Sequence, residues 1–135
     1  MGPTLLAWTM PADPASISAA RHRVVDLLRG NGWDEQRTGE AALMTTELAT
    51  NAVVHVGAPF TLTIDVGLGR LRVDVRDPGA ALPIVHLRPA SRELSGRGLA
   101  LVAAFADRWG YEPADNGKSV WFETSSLRSE AGSAG

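Results

Sequence analysis

The fold is read from residues 60–77, FTLTIDVGLGRLRVDVRD. Phe60, Leu62, Ile64 and Val66 alternate with Thr61, Thr63 and Asp65. Beyond Gly67-Leu68-Gly69-Arg70, Leu71, Val73 and Val75 alternate with Arg72, Asp74 and Arg76. A period of two is that of a half-buried strand, and two such runs around a Gly-rich turn predict a β-hairpin. Upstream the period is that of a helix. Trp33-Asp34 opens a helix that runs to about His55 and is broken by Gly57-Ala58-Pro59. Before it, Asp13-Pro14 reads as an N-cap followed by proline at the first helical position. Ile17, Ala20, Val24, Leu27 and Leu28 follow at helical spacing, and Gly30-Asn31-Gly32 stops that helix. Thr4 to Thr9 is a first short strand.

Downstream, Pro78 to Ser95 has no periodicity and carries Pro83 and Pro89 as well, so it reads as a loop. A third helix is predicted over Gly96 to Phe105, then strands over Arg108 to Glu112 and Ser119 to Glu123 around Asp115-Asn116-Gly117. The order is β-α-α-β-β-loop-α-β-β. Strands that come mostly as hairpins, with helices grouped between them, predict an α+β fold. The expected architecture is a two-layer α/β sandwich, with three helices on one face of a mixed, mostly antiparallel sheet. A structureless stretch longer than ~12–15 residues in a compact domain is usually a lid or binding loop.

At 135 residues the chain has room for one domain, expected over 1–124 with a disordered polar tail over 125–135. It is 44% hydrophobic and 21% charged, with a mean hydropathy of −0.03, the composition of a soluble globule. A net charge of −2 gives no electrostatic footprint for gripping nucleic acid directly. The absence of cysteine excludes disulfides, thiolate zinc sites and cysteine nucleophiles. The longest apolar run, Leu99 to Ala106, is far short of the ~20 residues that span a bilayer, so no membrane association is expected. The N-terminus lacks the pattern of a secretory signal, which favours the cytoplasm.

Three places could carry chemistry. Glu47 and Asn51, four apart on the second helix, share a face with Met44, Leu48 and His55 nearby. They are either a surface carboxylate and amide, or a carboxylate that activates a nucleophile beside an amide oxygen that ligates a hard cation. Mg²⁺ suits that second role, since it takes one or two protein oxygens and fills its shell with phosphates and waters. Asp77, followed by Pro78-Gly79, is either a turn former or a buried carboxylate accepting from a ligand's amino group. Gly96-Arg97-Gly98-Leu99 is either a tight turn or a phosphate site, where close backbone approach meets the free N–H groups of a helix start. Asn116-Gly117-Lys118-Ser119 imitates the end of a Walker motif, but its first glycine would fall at Glu112 and a strand follows. His22, His55 and His86 have no ligand-like spacing.

Glu47-Leu48-Ala49-Thr50-Asn51-Ala52, then Asp77-Pro78-Gly79, then a lid, then Gly96-Arg97-Gly98-Leu99-Ala100-Leu101-Val102 resembles, in that order, the Bergerat-type ATP-binding domain of histidine kinases, gyrase and MutL-type ATPases. With its compact length and the closing Gly117-Lys118-Ser119-Val120-Trp121-Phe122-Glu123, the chain looks most like the stand-alone anti-sigma-factor serine kinases of the RsbW type. The resemblance implies ATP and Mg²⁺ as cofactors. It assigns Asn51 to Mg²⁺, Glu47 to the general base and Asp77 to the adenine amino group, with Gly79 letting the base approach the backbone. Gly96, Arg97, Gly98 and Leu99 would line the phosphates, and residues 82–95 would form the lid. It further implies phosphorylation of a serine on a STAS-domain antagonist, sequestration of a sigma factor, and a homodimer. Two positions depart from the family pattern: Ala81 stands at the last glycine of Asp-x-Gly-x-Gly, and Lys118-Ser119 follows Gly117 where the family has threonine. The alternative is a non-catalytic ATP-binding switch that regulates a protein partner through its lid.

Overall fold

The computed structural model describes residues 3–79, 94–115 and 117–126. Residues 82–93 of the lid expected over 82–95, Ala81, Asn116 and the tail beyond residue 126 lie outside them; residues 94 and 95 are the first of α3 instead of lid.

Among the described residues nine segments follow in order: β1 (Thr4–Met10), α1 (Pro14–Gly30), α2 (Glu35–Thr50), a π-helical turn (Asn51–Val56), β2 (Phe60–Gly67), β3 (Arg70–Asp77), α3 (Leu94–Phe105), β4 (Arg108–Ala114) and β5 (Gly117–Ser125). The sheet order is β1-β2-β3-β5-β4, and every neighbouring pair is antiparallel, so the parallel component of the expected mixed sheet is absent among the described residues. β5 runs past Glu123 to Ser125, which pairs with Arg70, and the Ser126 N–H donates to the Gly69 carbonyl. No helix among the described residues is long and apolar enough to cross a membrane.

Local chemistry accounts for the boundaries. The Asp13 carboxylate accepts from the Ala15 N–H at 2.8 Å ahead of Pro14, and Asp34 accepts from the Arg37 N–H at 2.7 Å to start α2. The β2–β3 turn is Leu68-Gly69, flanked by the pair Gly67–Arg70, with φ of 55° and 73°. Positive φ at both central residues is the type I′ geometry that matches the twist of paired strands.

The alternating residues of the central hairpin face the helices as expected: Phe60, Leu62, Ile64, Leu71, Val73 and Val75 are all buried. They meet Val24 and Leu28 of α1, Met44 and Leu48 of α2, and Leu99 and Val102 of α3. Full burial of such a side chain is worth about 1.5–3 kcal/mol each. The opposite phase forms an uncovered polar face. There the Arg72 guanidinium stacks 4.2 Å above the Trp121 ring and pairs with Glu123 at 2.9 Å. Arg37 ties the two layers together at one end: its guanidinium donates to Thr124 Oγ1 at 2.6 Å and to the Ser125 carbonyl at 3.0 Å.

Candidate nucleotide site

At the other end of the helical layer, α2 does not continue as an α-helix to His55. Its hydrogen-bond ladder widens at Asn51 into the π-helical turn, closed by the Gly57 N–H donating five residues back to the Ala52 carbonyl at 3.0 Å. Threonine hydroxyls loosen the ladder on the way, with Thr46 Oγ1 donating to Ala42 and Thr50 Oγ1 to Thr46. Gly57 ends the turn at φ 71°, in the left-handed region glycine enters at no steric cost. Single π turns inside helices are uncommon and concentrate at functional sites.

Asn51 sits on this junction and is buried; its amide Nδ2 has no hydrogen-bond partner among the described residues. An unpartnered buried amide is costly, which marks a position made for something other than packing. Turning the amide about its last bond exchanges Nδ2 and Oδ1, so the same position can offer a donor to a phosphate or an oxygen to a hard cation. Asn51 therefore fits a Mg²⁺ site in which phosphate and water complete the shell. Glu47 lies one turn earlier on the same helix face, half-buried, and its carbonyl accepts the Asn51 N–H. Of the two readings of this pair, the exposed one fails for Asn51. His55 is exposed and does not join the pair, whereas Met44 and Leu48 are buried beneath it.

Asp77 ends β3 in phase with Leu71, Val73 and Val75, so its carboxylate points to the helix side and is buried. The Gly79 N–H donates to its Oδ1 at 2.8 Å, an Asx-type turn, and Lys118 Nζ donates to the same oxygen at 2.9 Å. Both readings of Asp77 are thus realised in one residue: it forms a turn and it is a buried carboxylate. Among the described residues nothing donates to its Oδ2. A Cβ on Gly79 would lie 2.9 Å from Asp77 Oδ1, 2.9 Å from Lys118 Nζ and 3.0 Å from Val56 Cγ2. With no Cβ, Gly79 lets the backbone after β3 pack directly against the Asp77–Lys118 pair and against Val56 of the π-helical turn. At Gly117 a Cβ would run into the Asp77 carbonyl oxygen, so the start of β5 presses directly on the β3 end.

α3 begins at Leu94, two residues before the glycines, so Gly96, Arg97 and Gly98 lie in its opening turns instead of preceding it. α3 packs on α2 and on the π-helical turn, and Leu99 is buried in the core. The box of glycines is carried by the helix next to Glu47 and Asn51. The sequence-derived positions thus lie on elements that pack on one another: α2, the π-helical turn, the end of β3 and α3.

Lys118 was given no role by sequence reasoning, which met it at the end of a false Walker motif and within the closing Gly117-Lys118-Ser119 element. Its signal was present: Lys118 is in phase with the apolar Val120 and Phe122. A lysine on the buried phase of a strand requires a buried acceptor. Ser119, by contrast, faces the uncovered side of the sheet, where it lines a concavity of about 550 Å³ with Thr63, Arg72 and Asp74. It cannot reach a ligand at Asp77.

Among the described residues, an all-antiparallel sheet covered by three helices, with a buried Asp at the end of the strand that packs on the π-helical turn after the Glu–Asn helix and a glycine box on the next helix, defines the ATP-binding fold of the histidine-kinase-like superfamily. The sequence profile described as "histidine kinase-like ATPase domain" matches residues 10–124, and the chain belongs to that family, for which ATP is the implied nucleotide. Among curated proteins, an uncharacterised Streptomyces coelicolor protein, SCO4941, is 39% identical over 79 residues, covering 56% of this chain and 75% of that protein. Among solved structures, the RsbU and RsbW domains of Rv1364c from Mycobacterium tuberculosis superpose with a TM-score of 0.70 at 18% identity, over 90% of this chain and 32% of that longer one. The SiaB–SiaC complex of Pseudomonas aeruginosa matches with a TM-score of 0.69 at 15% identity, over 87% of this chain and 88% of the matched one. At those identities the two structures establish the fold.

Proposed function

We propose that this protein is a Mg²⁺- and ATP-dependent serine/threonine protein kinase that acts as an anti-sigma regulatory factor. It transfers phosphate to a STAS-domain antagonist and holds a sigma factor inactive in the antagonist's absence, most simply as a homodimer in the cytoplasm. The observation that carries the reading is the buried Asn51, whose amide Nδ2 has no partner among the described residues, one helical turn from Glu47. A cation ligand and a general base placed side by side are the parts that phosphoryl transfer asks of a protein. The RsbW-type fold of one structural neighbour, and the capture of another with a protein partner, support a regulatory role.

Asp77 would hold the adenine through its amino group, and the opening turns of α3, with Gly96, Arg97 and Gly98, would receive the phosphates on free N–H groups. A cation on Asn51 would neutralise charge on the β- and γ-phosphates. Glu47 would accept the proton of the attacking serine hydroxyl as its oxygen bonds to the γ-phosphorus. The bond from that phosphorus to the bridging oxygen breaks in the same step, and ADP leaves.

The test is transfer from γ-labelled ATP to a STAS-domain protein encoded by the same genome. Wild type should label the partner on serine or threonine. Glu47→Gln should bind ATP within about threefold of wild type and lose transfer by at least ~100-fold, the usual worth of general-base catalysis. Undiminished transfer in Glu47→Gln would remove it from the base role. ATP binding without transfer in wild type would leave a nucleotide-dependent switch.

A further inference from the structure

The Asp77–Lys118 pair is more than a structural ion pair. Both side chains are nearly enclosed, at 2% exposure for Asp77 and 7% for Lys118, and they sit directly opposite each other in the β3–β5 register. A lysine ammonium has three N–H donors and no acceptor. Here one N–H is spent on Asp77 Oδ1, and among the described residues the other two meet no acceptor. Beside them, nothing donates to Oδ2 of the same carboxylate. The pair thus presents a buried donor next to a buried acceptor, and a Cβ at Gly79 would press on both Asp77 Oδ1 and Lys118 Nζ.

We infer that Lys118 is a base-reading residue: it donates to the ring nitrogen N1 of adenine while Asp77 Oδ2 accepts from the adjacent 6-amino group. This deepens the proposed function and rests on ATP binding at Asp77. The two groups match the alternation on that edge of adenine, an N–H donor next to a ring-nitrogen acceptor. Guanine reverses it: its 6-oxygen would face the carboxylate and its N1–H would face the ammonium, and each juxtaposition is repulsive. Selectivity is strong when a mismatched base leaves a buried charge unpaired. Lys118 would also explain how the site dispenses with threonine after Gly117, since Ser119 is on the other face of the sheet.

The experiment compares ATP with 1-deaza-ATP, which keeps the amino group and replaces N1 by CH, on wild type and Lys118→Met, by titration calorimetry at fixed Mg²⁺. Wild type should bind 1-deaza-ATP about 10- to 100-fold more weakly, the range expected for one charge-assisted hydrogen bond in a desolvated site. Lys118→Met should bind the two nucleotides within about twofold of each other. Should Lys118→Met not fold, the neutral pair Asp77→Asn with Lys118→Met takes its place. Both nucleotides retain the amino group, so the change at Asp77 affects them alike. Equal affinities in wild type would overturn the inference while leaving ATP binding intact. So would tighter ATP binding in Lys118→Met, which would mean the ammonium competes for Asp77, or retention of the preference for ATP. Failure of wild type to bind either nucleotide would overturn the proposed function and this inference with it.

Discussion

The buried Asp77–Lys118 pair makes a demanding prediction about stability, independent of any ligand. Its 2.9 Å contact lies between side chains almost wholly removed from water, so removing one partner strands the other as a buried charge. Such a loss costs about 3–5 kcal/mol, whereas replacing both charges by neutral groups of similar size is often close to neutral. Asp77→Asn and Lys118→Met should each therefore lose about 3–5 kcal/mol. The double variant should recover most of it, with a coupling energy of at least ~2 kcal/mol. For a chain of 135 residues, ~1 kcal/mol moves the midpoint by about 3–5 °C, so each single variant should melt about 10–25 °C lower. Urea unfolding followed by circular dichroism gives the energies directly, and the slope with denaturant should not change if only the pair is altered. Because the pair is buried, added salt should narrow the difference little. Single losses below ~1 kcal/mol that simply add in the double variant would refute the reasoning, since the pair would then be solvated.

Gly79→Ala places a methyl group against Asp77 Oδ1, Lys118 Nζ and Val56 Cγ2, so its effect should fall on the ligand. ATP affinity should drop at least ~10-fold for a stability loss within the ~1–3 kcal/mol of a small-to-large change, measured by calorimetry alongside thermal unfolding. Asp74, on the uncovered face, has its carboxyl raised above the ordinary range, chiefly by burial, against the opposing pull of Arg72. A carboxyl raised on folding binds more protons in the native than in the unfolded state. It therefore costs stability as pH rises from the unfolded value through the folded one, and the cost persists above it. Asp74→Asn should accordingly raise the melting temperature at pH 7, and the gain should vanish as the pH falls below the ordinary carboxylate range. A variant equally or less stable at pH 7 would contradict that sign.

Much of the fold was legible because its signals are local. Alternation in residues 60–77, the Asp13 and Asp34 caps and the glycines after α1 each act through neighbours a few residues away. The departures arose where tertiary contacts decide. Thr46 and Thr50 give no hint of a π turn until their hydroxyls share the ladder's carbonyls. The start of α3 at Leu94 could not be told from the loop before it, since Leu94 and Ser95 serve either state. Of the candidate site, Glu47, Asn51, Asp77 and Gly79 were singled out by type and order; the structure buries Asn51 and Asp77 and sets Gly79 against Asp77 and Val56. Lys118 was missed because its partner is 41 positions away. Only the register of β3 on β5 reveals that two charges on buried strand phases face each other.

The central claim is that ATP binds at Asp77, Gly79 and Asn51. A calorimetric titration of the wild-type chain with Mg·ATP, with Mg·GTP as control, tests it most directly. The account predicts saturable binding of one ATP per chain, a requirement for Mg²⁺ that Asn51→Ala weakens, and no measurable heat from GTP. No binding of ATP at millimolar concentration, or equal binding of GTP, would contradict it.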